Sequence, residues 1–131
     1  MRLKDKSIIV TGSTTGIGEA TARRFVEEGA NVLVHGTNQQ RGEQLVAELG
    51  SQTALHLDDL SDPETPKRLV AAAVSAFGKL DSVVNNAAWV PKSELESTTV
   101  ELWEKTMAIN TRAPMLLILS LIHISEPTRP Y

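Results

Sequence analysis

The chain has 131 residues, enough for one domain with its own core. Its formal net charge is −3, which gives no electrostatic footing for nucleic acid or an anionic membrane. It contains no cysteine, which excludes disulfides, thiolate metal sites and cysteine nucleophiles from this sequence.

The first six residues, Met1-Arg-Leu-Lys-Asp-Lys, are charged, and the apolar run after them is too short for a signal sequence. Residues 115–124 are the most apolar stretch and fall far short of a membrane span, so the expectation is a cytoplasmic protein. Ser7–Val10 reads as a strand. It leads into Thr11-Gly-Ser-Thr-Thr-Gly-Ile-Gly18 and then an amphipathic helix pattern. A strand, a glycine turn and a helix in that order make a cradle for a pyrophosphate, because backbone N–H groups and the helix dipole favour an anion there. Gly12 permits the tight turn, Gly16 lets the backbone approach phosphates, and Gly18 lets the helix pack close to the strand. The spacing is G-x-x-x-G-x-G. A P-loop would need Lys-Ser/Thr after the last glycine, where this chain has Glu19-Ala20.

Strand and helix patterns then alternate. Ile17, Thr21 and Phe25 with Ala22 and Val26 form one helical face, ended by Gly29. Residues 31–35 are a second strand, and Gly36-Thr37-Asn38 a turn. Leu45, Val46 and Leu49 mark a helix closed by Gly50, and Thr53–Leu57 a third strand. Asp62-Pro63 predicts a helix start, with proline at the first helical position. Leu69, Val70, Ala73, Val74 and Phe77 form its apolar stripe, and Gly78 stops it. Residues 80–84 are a fourth strand running into Asn85-Asn86. After a loop with Pro91, Thr98-x-x-Glu101 is a capping box that starts a last helix through Trp103, Met107 and Asn110. Trp103 lies on that helix's stripe and reads as core, while Trp89 either borders a substrate space or fills the core. His35, His56 and His123 have no metal-ligand spacing and read as strand-end, packed or tail residues.

This alternation predicts an α/β fold: the N-terminal part of a Rossmann-like, doubly wound parallel sheet of order 3-2-1-4 with helices on both faces. Ligands in such sheets bind at the carboxyl ends of the strands, at the switch point between the first and fourth, where the glycine turn and Asn85-Asn86 both fall.

Thr11-Gly-x-x-x-Gly-Ile-Gly18, Asp59-Leu60-Ser61-Asp62, Asn85-Asn86-Ala87-Ala88 and a mid-helix Asn110, in that order, resemble the short-chain dehydrogenase/reductase family from Lys4 to about Ile118. The three-residue gap between Gly12 and Gly16 resembles the single-domain branch. Ala88 stands where the family usually has glycine. The resemblance implies hydride transfer between a nicotinamide cofactor and a small-molecule carbonyl or alcohol. It further implies a homo-oligomeric parent, a dimer or tetramer, with no nucleic acid and no membrane as partner. It assigns cofactor contacts to Gly12, Ser13, Thr14, Thr15, Gly16, Ile17 and Gly18, an adenine pocket to Asp59 and Leu60, and the crevice under ribose and nicotinamide to Asn86, Ala87 and Ala88. Asn110 is implied to bend its helix and hold a water in a proton relay. The alternatives read from the residues alone are that Asp58 and Asp59 cap the next helix, and that Asn86 makes a structural turn.

No carboxylate follows the second strand, where a ribose-reading acid usually stands. Nothing there repels a 2′-phosphate. Thr37 and Asn38 can donate hydrogen bonds to one, and Arg41 can reach it. NADP is therefore the expected cofactor, with NAD as the alternative. The family's NADP-preferring members often carry an arginine at the place of Thr37 or a basic residue inside the glycine turn, and this chain has neither.

The family's chemistry also needs a Ser and a Tyr-x-x-x-Lys downstream of Asn110, the Tyr serving as general acid/base. The only tyrosine is Tyr131, the last residue, so this sequence holds no Tyr-x-x-x-Lys. Residues 119–129, Leu-Ser-Leu-Ile-His-Ile-Ser-Glu-Pro-Thr-Arg, resemble the translation of a transposase-type sequencing adapter. The domain is expected to be residues 1–118, incomplete, followed by a non-native tail over 119–131. The chain is then expected to bind cofactor without turning over. The alternative function is a non-catalytic NADP-binding sensor or regulatory module.

Overall fold

The structure, a computed structural model, describes residues 1–125. Four strands, β1 (Ser7–Val10), β2 (Asn31–Gly36), β3 (Thr53–Leu57) and β4 (Ser82–Val84), form one sheet in the order β3-β2-β1-β4. Every pairing is parallel, with Ile9 opposite Leu33 on one side and Val83 on the other. The helices are α1 (Gly16–Glu27), α2 (Gln39–Leu49), α3 (Thr65–Phe77), α4 (Val100–Met107) and α5 (Ala113–Ser125). A 3₁₀ turn at Leu95–Ser97 precedes α4, and a π turn at Ala108–Arg112 joins α4 to α5.

Alternation along the strands divides the core into two layers. Ile8, Val10, Val32 and Val34 face one side, where Ala22 of α1 and Leu45 of α2 cover them. Ile9 and Leu33 face the other side, under Leu69, Val70 and Ala73 of α3 and Ile109, Ala113 and Leu117. Because both faces are covered, these strands read as continuous apolar runs.

Several boundaries differ from the sequence expectation. α3 starts at Thr65, with Pro66 as its N-terminal proline, rather than at Pro63. Asp62 instead closes a tight turn, its carboxylate accepting from Glu64 N, and the buried Thr65 hydroxyl is tied to the Asp59 carbonyl at 2.6 Å. α4 is capped by Thr99, whose hydroxyl accepts from Leu102 N, while the Thr98 hydroxyl donates to Glu94 O beside the 3₁₀ turn. β4 is three residues long, although Leu80 before it is buried. Ile17 is 80% exposed, so the buried face of α1 runs through Gly18, Ala22 and Phe25 instead. Trp103 is 59% exposed and belongs to no core.

The helical run Val100–Ile124 is long and apolar enough to cross a membrane by length and composition alone, which the count over residues 115–124 missed. Part of its apolarity is used within the fold: Ile109, Ala113 and Leu117 are buried against the sheet and α3. The helix continues past Ile118 to Ser125, and residues 126–131 of the expected tail lie outside the described residues.

Candidate cofactor site

The glycine turn leaves β1 at its carboxyl end and is fastened on both sides. On the β4 side the Thr11 hydroxyl accepts from Asn86 N and Ala87 N at 3.1 and 3.0 Å, and donates to Val84 O at 3.4 Å. Asn86 Nδ2 donates to Thr11 O and Gly12 O at 3.0 and 3.1 Å, so this side chain spans the switch point instead of bonding its own turn. On the β2 side Ser13 N donates to His35 O at 2.8 Å, and His35 N donates to Ser13 Oγ at 3.0 Å. Ser13 is fully buried, its N–H and hydroxyl committed to His35 behind the turn. Gly12 N donates to His35 Nδ1 at 3.0 Å. Thr11 and His35 are thus structural parts of the site that the motif reading did not assign to it. The available signal was a polar residue at the end of an apolar strand.

Gly12 and Gly16 both have positive φ, +62° and +58°. A Cβ on Gly12 would meet Ala87 Cα at 3.0 Å, whereas one on Gly16 would meet nothing within 4 Å. Gly16 therefore faces open space at the first turn of α1. Thr15 precedes it in extended conformation and supplies no side-chain cap. The opening N–H groups of a helix have no intrahelical acceptor, so this end of α1 presents donors and a positive dipole end to the opening. Ile17, the second residue of α1, is exposed.

A cavity of about 240 Å³ is lined by Gly12, Thr14, Thr15, Gly36, Thr37, Asp59, Leu60, Ala87, Ala88 and Trp89, among others. It runs from the glycine turn across the ends of β2 and β3 to the loop after β4, and so brings together most of the residues picked out from sequence. Asp59 Oδ1 accepts from Ser61 N and Ser61 Oγ, both at 2.8 Å. These bonds hold its carboxyl below the usual carboxylate range, so Asp59 is an ionised acceptor facing the cavity. Leu60 is buried beside it. Neither Asp58 nor Asp59 caps α3. Asp58 instead pairs with Arg68 at 2.7 Å, His56 at 2.9 Å and Thr65 at 3.1 Å.

A second opening of about 390 Å³ adjoins the first through Thr14 and Thr15, and includes Gly16, Arg23 and Arg41. Arg23 is engaged by Glu19 and Glu48. Arg41 has no ion pair among the described residues, and Asn38 caps α2 by accepting from Arg41 N at 3.0 Å. That bond uses the Asn38 oxygen and leaves its amide N–H groups as donors.

Asn110 sits in the π turn and faces Trp89. Its Oδ1 accepts from Trp89 N and its Nδ2 donates to Trp89 O, both at 2.8 Å. Mid-helix asparagine is thereby explained: the side chain acts as a backbone partner for the loop that floors the cavity, and the helix departs from α geometry at the same point. The Trp89 ring is covered by Lys105 Nζ at 4.3 Å from its centroid.

The Arg68 guanidinium, followed by the bonds from His56, Asp59 N and Thr65, holds the Asp58 carboxyl well below the usual carboxylate range. A lowered carboxyl contributes stability above its unfolded pKa of about 3.9 and loses it as pH falls through the folded value. Arg68→Met is expected to lower the unfolding midpoint by a few degrees at neutral pH, with the gap closing on acidification. Thermal unfolding at several pH values checks this. A gap that stays constant down to about pH 2 would count against it.

A doubly wound α/β sheet with an uncapped helix N-terminus behind a glycine turn, at the switch point of the strand order, defines a dinucleotide-binding domain. The comparisons narrow this class. A family profile described as short chain dehydrogenase matches residues 6–125. The short-chain dehydrogenase/reductase FrzI of a Cladobotryum species is 38% identical over 132 residues, covering 97% of this chain and 51% of the relative. The NADP-dependent (R)-specific alcohol dehydrogenase of Lentilactobacillus kefiri is 40% identical over 111 residues, covering 83% and 44%. A short-chain dehydrogenase from Burkholderia cenocepacia, solved in complex with NADP, superposes with a TM-score of 0.90 at 29% identity, covering 95% of this chain and 52% of that one. This chain belongs to the short-chain dehydrogenase family of oxidoreductases. It spans about half the length of the curated relatives it matches.

Proposed function

We propose that this chain is the cofactor-binding half of an oxidoreductase that passes a hydride between NADP(H) and a carbonyl or alcohol group of a small molecule. The observation that carries this reading is the open, uncapped start of α1 at Gly16, continuous with a cavity that ends at Asp59 and Leu60. In this reading the α1 N–H groups hold the pyrophosphate, Asp59 accepts from the adenine amino group, and Asn86, Ala87 and Ala88 lie under the ribose and nicotinamide. When bound, the nicotinamide supplies or accepts the hydride. The choice of NADP rests on three features: no carboxylate after β2, the donors Thr37 and Asn38, and Arg41 beside Thr14 and Thr15. Asn110 serves here as a positioning residue. Oligomerisation of the parent is proposed to use the apolar face of α4 and α5, where Trp103, Met107, Met115 and Ile118 are exposed.

Titration of the purified chain with NADPH and NADH, together with a carbonyl-reduction assay, tests this. NADPH is expected to bind at least about tenfold more tightly than NADH, a difference of about 1.4 kcal/mol. Arg41→Ala is expected to remove most of that preference, and NADPH is expected not to be consumed. Equal affinities would refute the NADP assignment, and turnover would refute the inactivity of this chain. Failure of the folded chain to bind either dinucleotide would refute the cofactor reading altogether. A full-length parent that binds NADPH yet lacks Tyr-x-x-x-Lys would establish the sensor function instead.

A further inference from the structure

His35 is a strand-end residue whose ring does more than fill space. The side chain is 3% exposed at the end of β2. Its Nδ1 accepts from Gly12 N, and its Nε2 lies 3.0 Å from Asp58 O. The two contacts fix the tautomer. A ring nitrogen that accepts an N–H carries no proton, so the neutral ring carries its proton on Nε2 and donates it to the Asp58 carbonyl. His35 therefore ties the first glycine of the turn to the segment carrying Asp59 and Leu60, the two ends of the same cavity.

We propose that His35 is a positioning residue for cofactor binding: its neutral Nε2–H form sets the distance between the glycine turn and the Asp58–Asp59 segment, and protonation of the ring breaks that setting. Protonated Nδ1 would turn a donor against the Gly12 N–H, and the turn must then move. The inference rests on the cofactor reading above, since its consequence is a change in dinucleotide affinity. Burial drives the ring's pKa below the ordinary histidine range, opposed by the bond to Asp58 O and by the Asp58 carboxylate, with His56 adding to the lowering. The sign follows. A histidine with a lowered folded pKa stabilises the fold above its unfolded value, and this contribution is lost as pH falls through the lowered one. The titratable groups around the ring are Asp58 and His56 on the β3 side, with Asp59 across the cavity. Among the described residues, the glycine turn on the β1 side brings the uncharged Gly12 and Ser13 to His35.

Two variants separate the contacts. His35→Asn keeps an acceptor at the Nδ1 position, and His35→Gln keeps a terminal donor toward Asp58 while offering nothing to Gly12 N. Each is titrated with NADPH from about pH 8 down to about pH 4, below the range over which an unperturbed histidine changes charge. His35→Gln is expected to weaken NADPH binding about tenfold at the upper end, the weight of one buried hydrogen bond, and His35→Asn by less than about threefold. Wild-type affinity is expected to fall on acidification more steeply than that of His35→Asn. Titration of the ligand's own phosphate is common to both and cancels in the comparison. Nitrogen-15 NMR of histidine-labelled wild-type chain reads the tautomer directly and is independent of whether the variants fold. A proton on Nδ1 in the neutral chain, or NADPH affinities that are equal among all three proteins at every pH, would overturn the proposal and leave the cofactor reading standing. Absence of NADPH binding by folded wild type at any pH would overturn the cofactor reading, and the linkage with it.

Discussion

Gly18→Val is expected to abolish dinucleotide binding and to cost about 3 kcal/mol of stability. A Cβ at this position would run into the Gly12 carbonyl oxygen and stand 2.5 Å from Asn86 Nδ2. Neither neighbour can yield cheaply. The first is backbone within a turn of fixed positive φ, and the second is pinned by bonds to Thr11 O and Gly12 O. Relief requires α1 to lift from the sheet or the turn to open, and either change removes the donor array. Gly16→Ala is the informative comparison. It meets open space, so its cost is limited to the positive φ, about 1 kcal/mol. Urea unfolding and NADPH titration of the two variants measure the contrast. Wild-type affinity in Gly18→Val would show that α1 is not held at the distance described.

The second large effect belongs to Asn110. Asn110→Leu, close in shape, leaves both Trp89 N–H and Trp89 C=O without their partner. Two part-buried backbone groups left unpaired cost about 2–3 kcal/mol together. The loop carrying Ala87 and Ala88 is released with them, so NADPH affinity is expected to fall about tenfold or more. Asn110→Asp separates the contributions: it still accepts from Trp89 N but has nothing to donate to Trp89 O, and should fall between. Unfolding in urea with a parallel cofactor titration provides the measurement. Unchanged stability in Asn110→Leu would mean that the π turn, rather than the side chain, fixes the loop.

The sheet order and most of the cavity were legible because the information is local. Period-two burial was replaced by continuous apolar runs, glycine punctuated the first three helices, and the motif residues fell at strand ends. What escaped detection depends on contacts between distant segments. Asp62-Pro63 and Thr65-Pro66 are both good helix starts, and the bond from the Thr65 hydroxyl to the Asp59 carbonyl selects the second. Thr98 and Thr99 are equally good caps, and the 3₁₀ turn at Leu95–Ser97 occupies the first. Ile17 and Trp103 are apolar at helical spacing, yet periodicity alone does not say which side of a helix meets the sheet. Ile17 turns away from the sheet and is exposed, and the π turn after α4 shifts the helical phase between Trp103 and Leu117. The tautomer of His35 could not be read at all, since both of its partners are backbone atoms brought in from elsewhere in the chain.

Thr11 carries one further consequence. A hydroxyl has one proton to give and two lone pairs to fill, and in Thr11 all three are spent, on Val84 O, Asn86 N and Ala87 N. Its hydrogen-bonding valence is saturated within the chain itself. The junction of β1, β4 and the glycine turn is therefore locked before any dinucleotide arrives, and the entropy of ordering it is charged to folding rather than to binding. Among the other residue types only serine could reproduce that saturation.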